Sequence, residues 1–202
     1  MAQIKLTKSE LRSQQLKLTQ LTRYLPTLQL KKAMLQTEVM LAQQEIEDLE
    51  DKYREEKKEV ENFQSLLSME ALKELTDALY IVEVKKDYES IAGVEIPFYR
   101  EVVFQEALYW SFDTPLWLDD AILALRSLLR AKEKVFIAKE KKRLLEAELR
   151  EVSIRVNLFE KVMIPRTLEN IKKIKVFLGD QQLAAVCQAK VAKRKIVERV
   201  AS

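Results

Sequence analysis

Residues 28–49 read LQLKKAMLQTEVMLAQQEIEDL, and in them Leu28, Leu35, Ala42 and Leu49 recur every seven residues with Val39 and Ile46 set between them. Apolar residues at alternating three- and four-residue spacing make one stripe on a helix, and a stripe kept in phase over several heptads is buried against another helix. The pattern extends in both directions. Leu11, Leu18, Leu25, Val39, Ile46, Tyr53, Val60 and Leu67 occupy one seam position, and Leu21, Leu28, Leu35, Ala42, Leu49 and Phe63 occupy its companion. Only Gln14, Lys32 and Glu56 place polar side chains on this seam. Thr7 and Glu10 have the T-x-x-E spacing of a capping box, which starts the helix. Roughly 60 residues at about 1.5 Å each predict a helix about 90 Å long.

A second seam begins near Leu118. Leu128, Val135, Leu149, Val156 and Met163 hold one position, and Ala124, Ala131, Ala138, Leu145, Val152 and Phe159 the other, with Lys142 as the charged interruption. Beyond Pro165 the apolar positions are Leu168, Ile171, Ile174 and Leu178, so the phase slips and a local unwinding of the supercoil is expected. Gly179 is expected to loosen the helix ahead of a basic end carrying Lys190, Lys193, Arg194, Lys195 and Arg199.

The residues between the seams have a different character. Tyr80, Ile81, Val82 and Val84, and then Val94, Ile96, Phe98, Tyr99, Val102, Val103 and Phe104, are strand formers on either side of Gly93. They predict a β-hairpin at the tip, with Pro97 on an edge strand and Pro115 restarting the chain as a helix. Trp110 and Trp117, with Tyr109 and Phe112, read as a small core beneath the tip or as a partner surface. The fold class is mainly α, a long antiparallel two-helix coiled coil: an N-terminal coiled-coil helix over 1–75, a tip region with a small β-hairpin and short helices over 76–117 and a C-terminal coiled-coil helix over 118–202.

Composition narrows the function. Two glycines and four prolines in 202 residues leave little material for turns, which suits long helices. Histidine is absent, so the commonest general base and metal ligand is missing, and no Gly-rich phosphate loop occurs. No catalytic, cofactor or metal site is expected. Cys187 stands alone, which excludes an internal disulfide; it reads as a small side chain on a partly buried face. No cleavable signal precedes Lys5, and no apolar run approaches the roughly 18–20 residues of a membrane helix, so any membrane association is expected through a partner. The basic C-terminal run lacks interleaved aromatics, and no nucleic-acid partner is expected.

Charge chooses the partner of each seam. Residues 38–61 carry ten acids and four bases, whereas 126–155 carry ten bases and five acids, so the two seams are expected to pair antiparallel within one chain. A register in which paired numbers sum to about 191 sets Val39 against Val152, Ile46 against Leu145, Leu35 against Val156, Leu28 against Met163 and Pro26 against Pro165. About a dozen C-terminal residues would then project past the N-terminus. Two functional classes fit such a molecule: a stalk element of a large complex, or a free-standing coiled-coil adaptor or chaperone whose tip grips a client.

Arg155-Val156-Asn157-Leu158-Phe159-Glu160, followed by Ile164-Pro165-Arg166 and Asn170-Ile171-Lys172, resembles the C-terminal signature of the D subunits of the V-type and archaeal A-type ATPases. Leu6-Thr7-Lys8, Leu28-Gln29-Leu30-Lys31-Lys32 and Ile91-Ala92-Gly93-Val94 with Ile96-Pro97 are similar to other parts of that family. The resemblance implies a non-catalytic central-stalk rotor, cytoplasmic and peripheral to the membrane. Its implied partners are the catalytic and regulatory subunits of a hexamer, a smaller stalk subunit and a funnel-shaped adaptor to the membrane ring. Combined with the antiparallel fold, it implies that residues 1–25 and 166–202 lie deepest in the hexamer and that 80–115 meet other stalk subunits.

Overall fold

The computed structural model describes residues 4–61, 72–106 and 115–200. Among these described residues four helices and one hairpin follow in order: α1 (Lys8–Glu61), α2 (Leu72–Ala78), β1 (Ile81–Ile91), β2 (Val94–Phe104), α3 (Leu118–Leu158), a π turn (Phe159–Met163) and α4 (Ile164–Val200). Thr7 caps α1, its hydroxyl accepting from the Glu10 N–H at 3.3 Å. The chain divides into two units, one of Lys31–Glu151 and one of Met1–Leu30 with Val152–Ser202.

In the Lys31–Glu151 unit, α1 and α3 pack antiparallel. Lys31 Nζ donates to Glu148 at 2.7 Å, Lys141 to Glu45 at 2.8 Å and Lys139 to Glu50 at 2.7 Å. Their residue numbers add to 179 (31 and 148), 186 (45 and 141) and 189 (50 and 139). A register of 191 would displace Lys31 from Glu148 by 12 residues, about 18 Å along the axis at about 1.5 Å per residue, beyond the reach of two side chains. A register of 184 accommodates all three pairs within five residues. The expected register is therefore corrected by one heptad. It sets Leu35 level with Leu149, Val39 with Leu145 and Ile46 with Ala138. Lys142, the charge on the seam, comes level with the small buried Ala42 and sends its ammonium sideways to Gln43 Oε1 at 2.7 Å.

The hairpin turns at Ala92 and Gly93, both at positive φ (52° and 77°), as a two-residue type I′ connection requires. Its base is tied down by Arg126, whose guanidinium donates to the Ala78 carbonyl at 2.9 and 3.0 Å and to that of Gln105 at 3.1 Å. The sequence places the hairpin at the end of the helix pair; its base is there, and its strands run back along α3. Phe104 lies under Arg126 and Arg130, Tyr99 under Lys134 and Phe98 under Lys141, while Lys86 pairs with Glu140 at 2.7 Å. At the turn, a Cβ on Gly93 would stand 4.0 Å from Lys31 Nζ. The lengths match: eleven residues of strand reach about 36 Å, and α3 from Arg126 to Glu148 spans about 33 Å. Arg100 is the extra residue of a bulge and turns outward to Asp87 at 3.3 Å, while Ile96, Pro97 and Val102 are buried. Each strand of a two-stranded ribbon has an open edge, which is where Pro97 is tolerated.

Leu75, Ala78, Leu118 and Ile122 form a small core joining α2 to the start of α3, with Trp117 packed against it. Trp110, Tyr109 and Phe112 lie outside the described residues.

Candidate functional site

The residues of the expected signature gather around the π turn, in the unit of Met1–Leu30 and Val152–Ser202. Proline at 165 has no N–H for the Lys161 carbonyl, and in an α-helix its ring would collide with that carbonyl. The chain resolves this just upstream: Ile164 N–H donates to Phe159 C=O, a wider i to i+5 turn. That turn inserts one residue into the helix. Continued in sevens from Val152 and Val156, the seam would pass through 166, 170 and 173; the buried residues are instead Thr167, Ile171 and Ile174, each one place later. The expected local unwinding thus takes the form of a single π turn, after which α4 packs in its new phase. Thr167 is 3% exposed, and its hydroxyl is satisfied by the Met163 carbonyl at 2.7 Å.

A row at i+4 spacing drifts by about 40° per step around an α-helix. Here the wider turn takes up part of that drift, and Leu158, Val162, Arg166 and Asn170 all line one open recess of about 580 Å³. Its opposite wall comes from the start of α1 and the residues before it: Lys5, Glu10, Gln14 and Lys17. Gln14 Nε2 donates to Glu10 at 2.8 Å. Gln14 and Lys17 facing Thr167 and Asn170 fit the shorter register and not one near 191, so Pro26 comes level with Leu158 and not with Pro165. Helix α1 continues through Pro26.

The shorter register also lengthens the overhang. Every described side chain from 180 to 197 is exposed, including Leu183, Val186, Val191 and Ile196. Cys187 is exposed as well, not on a partly buried face, because α1 has already ended where that stretch of α4 begins. Gly179 does not interrupt α4.

Of the other seam residues, Leu35, Ile46, Leu145, Val152 and Val156 are buried, and Leu28, Val39, Leu49, Leu149, Phe159 and Met163 are half-buried. Arg155, Asn157, Pro165 and Arg166 are exposed, and Ile164 and Asn170 half-buried. In the hairpin, Val84 and Val94 are half-buried, Ile96 and Pro97 buried and Gly93 exposed. The recess was not legible in advance, because Lys5, Glu10 and Lys17 are ordinary surface residue types; the phase slip after Pro165 was the one signal that something happens there.

Among the described residues two carboxyls sit below their usual range, both through nearby lysines: Glu50 by the hydrogen bond and then the charge of Lys139, and Glu169 by those of Lys173. No group of histidine, cysteine and acidic residues suited to a metal ion occurs among the described residues, and no described helix is long and apolar enough to cross a membrane.

One unit pairs two long helices with a hairpin laid along α3, and the other ends in an exposed helical stretch of α4, the features of a mainly helical coiled-coil protein. The model of the family described as the ATP synthase D subunit matches residues 10–194. Over 199 residues the chain is 43% identical to the V-type ATP synthase D subunit of Chlamydia caviae, covering 98% of this chain and 96% of the relative. The D subunit of Chlamydia pneumoniae is 42% identical over 200 residues (98% and 96%), and that of Chlamydia trachomatis serovar L2 is 41% identical over 196 (96% and 97%). The chain belongs to the ATP synthase D-subunit family and is a stalk subunit of a rotary ATPase.

Proposed function

We propose that the chain is the rotor shaft of a V-type rotary ATPase, carrying torque between a hexamer of catalytic and regulatory subunits and an ion-translocating membrane ring, while other subunits bind and hydrolyse ATP. The observation that carries this reading is the family match over residues 10–194. The form of α4 supports it. A helix whose last turns expose Leu183, Val186, Val191 and Ile196 among lysines and arginines is poorly suited to water alone and well suited to a protein collar. Individually weak apolar and charged contacts are the kind that can be exchanged as a shaft turns.

On this reading the overhang and the beginning of α1 enter the hexamer, and the hairpin and the acidic outer surface of α1 meet the smaller stalk subunit and the funnel-shaped adaptor. Reconstitution with the hexamer subunits tests it. Removing 180–202 should weaken retention in the hexamer, and replacing 81–104 by a short linker should leave retention in place while reducing stalk-subunit binding or coupling. The opposite pattern, or saturable ATP binding by the chain alone, would overturn the proposal.

A further inference from the structure

Lys5, Lys17 and Arg166 line the recess beside the π turn, and among the described residues none of them has a hydrogen-bond or ion-pair partner. This contrasts with Lys31, Lys139 and Lys141, each within 2.8 Å of a carboxylate. The recess holds one acid, Glu10, and one of its oxygens already accepts from Gln14. Three cations facing one concave space, against a single carboxylate, repel one another and favour an incoming anion. Arg166 offers a planar fork that matches an oxyanion, the two lysines supply mobile point charges, and Asn170 adds an amide donor. Leu158 and Val162, 44% and 49% exposed, give the same recess an apolar side on which the stem of a side chain can lie.

We infer that the recess receives a carboxylate side chain presented by a subunit of the surrounding hexamer, an inference that rests on the rotor reading above. Its polarity and its apolar flank together fit an aspartate or glutamate on a protein segment better than a free ion, which would leave the flank uncovered. The site is open and on the shaft surface, so the bond can be made and released as faces exchange.

Carbodiimide treatment of the assembled complex tests this directly, because it joins an amine to a carboxylate only where the two are in contact. Lys5 or Lys17 should be joined to an aspartate or glutamate of a hexamer subunit, found by mass spectrometry. The Lys5→Gln, Lys17→Gln, Arg166→Gln triple variant, with circular dichroism matching the parent, should be retained roughly tenfold more weakly, and the loss should shrink at high salt. Cross-links of the two lysines only to Glu10, or unchanged retention of the triple variant, would overturn the inference. Inorganic phosphate that saturably protects the lysines of the isolated chain, with retention unaffected by the substitutions, would overturn it in favour of a free anion. Failure of the parent chain itself to enter a hexamer would strike at the rotor reading. The same cross-linking of the isolated chain with a glutamate-rich peptide then decides the recess, labelling at Lys5 or Lys17 supporting carboxylate binding and none refuting it.

Discussion

In the unit of Lys31–Glu151 the helices are braced by charge, with acids of α1 held by lysines of α3 and a hairpin clasped along the side by cations over aromatic rings. In the unit of Met1–Leu30 and Val152–Ser202 the seam is apolar apart from Gln14 and Thr167, the helix carries an extra residue at a π turn, and the cations of the recess face open space. The same heptad logic builds both. The difference teaches that the seam supplies cohesion while the side chains flanking it decide whether a stretch is fastened internally or left ready for partners.

Deleting one residue separates the two regions most sharply. Removal of Arg150, inside the regular seam, rotates Val152 and Val156 about 100° off it. Each buried aliphatic side chain so lost costs about 2–5 kcal/mol, and urea unfolding should register a loss of several kcal/mol. Removal of Val162, combined with Pro165→Ala, should be tolerated, because it closes the π turn into continuous α-helix and keeps Ile171 and Ile174 on the seam. Equal damage from both deletions would show that the π turn is not a one-residue insertion.

Truncation compares seam with surface. Leu145→Ala, at a fully buried position, should lower stability by about 2–5 kcal/mol, whereas Leu168→Ala, 49% exposed, should stay within about 0.5 kcal/mol of the parent.

The register is tested by oxidation. In a Cys187→Ser background, Ile46→Cys with Ala138→Cys should form a disulfide within one chain, while Ile46→Cys with Leu145→Cys should not. The reverse result would restore the register of 191.

The hairpin can be improved. Ala92 occupies the left-handed region without being glycine or asparagine, at a cost of about 1 kcal/mol. Ala92→Asn, which makes the favoured Asn-Gly turn, should raise stability by up to about 1 kcal/mol in thermal or urea unfolding.

The smallest effect concerns Glu50. Its folded pKa is lowered by Lys139, so the pair's contribution is present above the ordinary carboxylate value and is lost as pH falls through the lowered one. The carboxylate is open to solvent and screened by it, so the change should escape global unfolding measurements. It should appear as a Glu50 titration midpoint below the usual range that returns to it in Lys139→Gln, read by carboxyl NMR.

The residues by themselves determined the long helices, the Thr7 cap, the strands and the turn, because helix periodicity, a capping threonine and the Ala92-Gly93 pair are local and act within a few residues. They also determined that the acidic stretch of one seam would meet the basic stretch of the other. Tertiary structure decided the register. A heptad seam is nearly indifferent to a slip of seven, and the choice falls to pairs such as Lys31 with Glu148 that lie far apart in the chain and are visible only once folded. It likewise decided that the hairpin lies back along α3, since the aromatic residues of β2 and the cations of α3 carry no mark of each other in sequence. The slip after Pro165 was legible, but its resolution into one π turn depended on where Ile171 and Ile174 could be buried, and burial is a property of the packed chain.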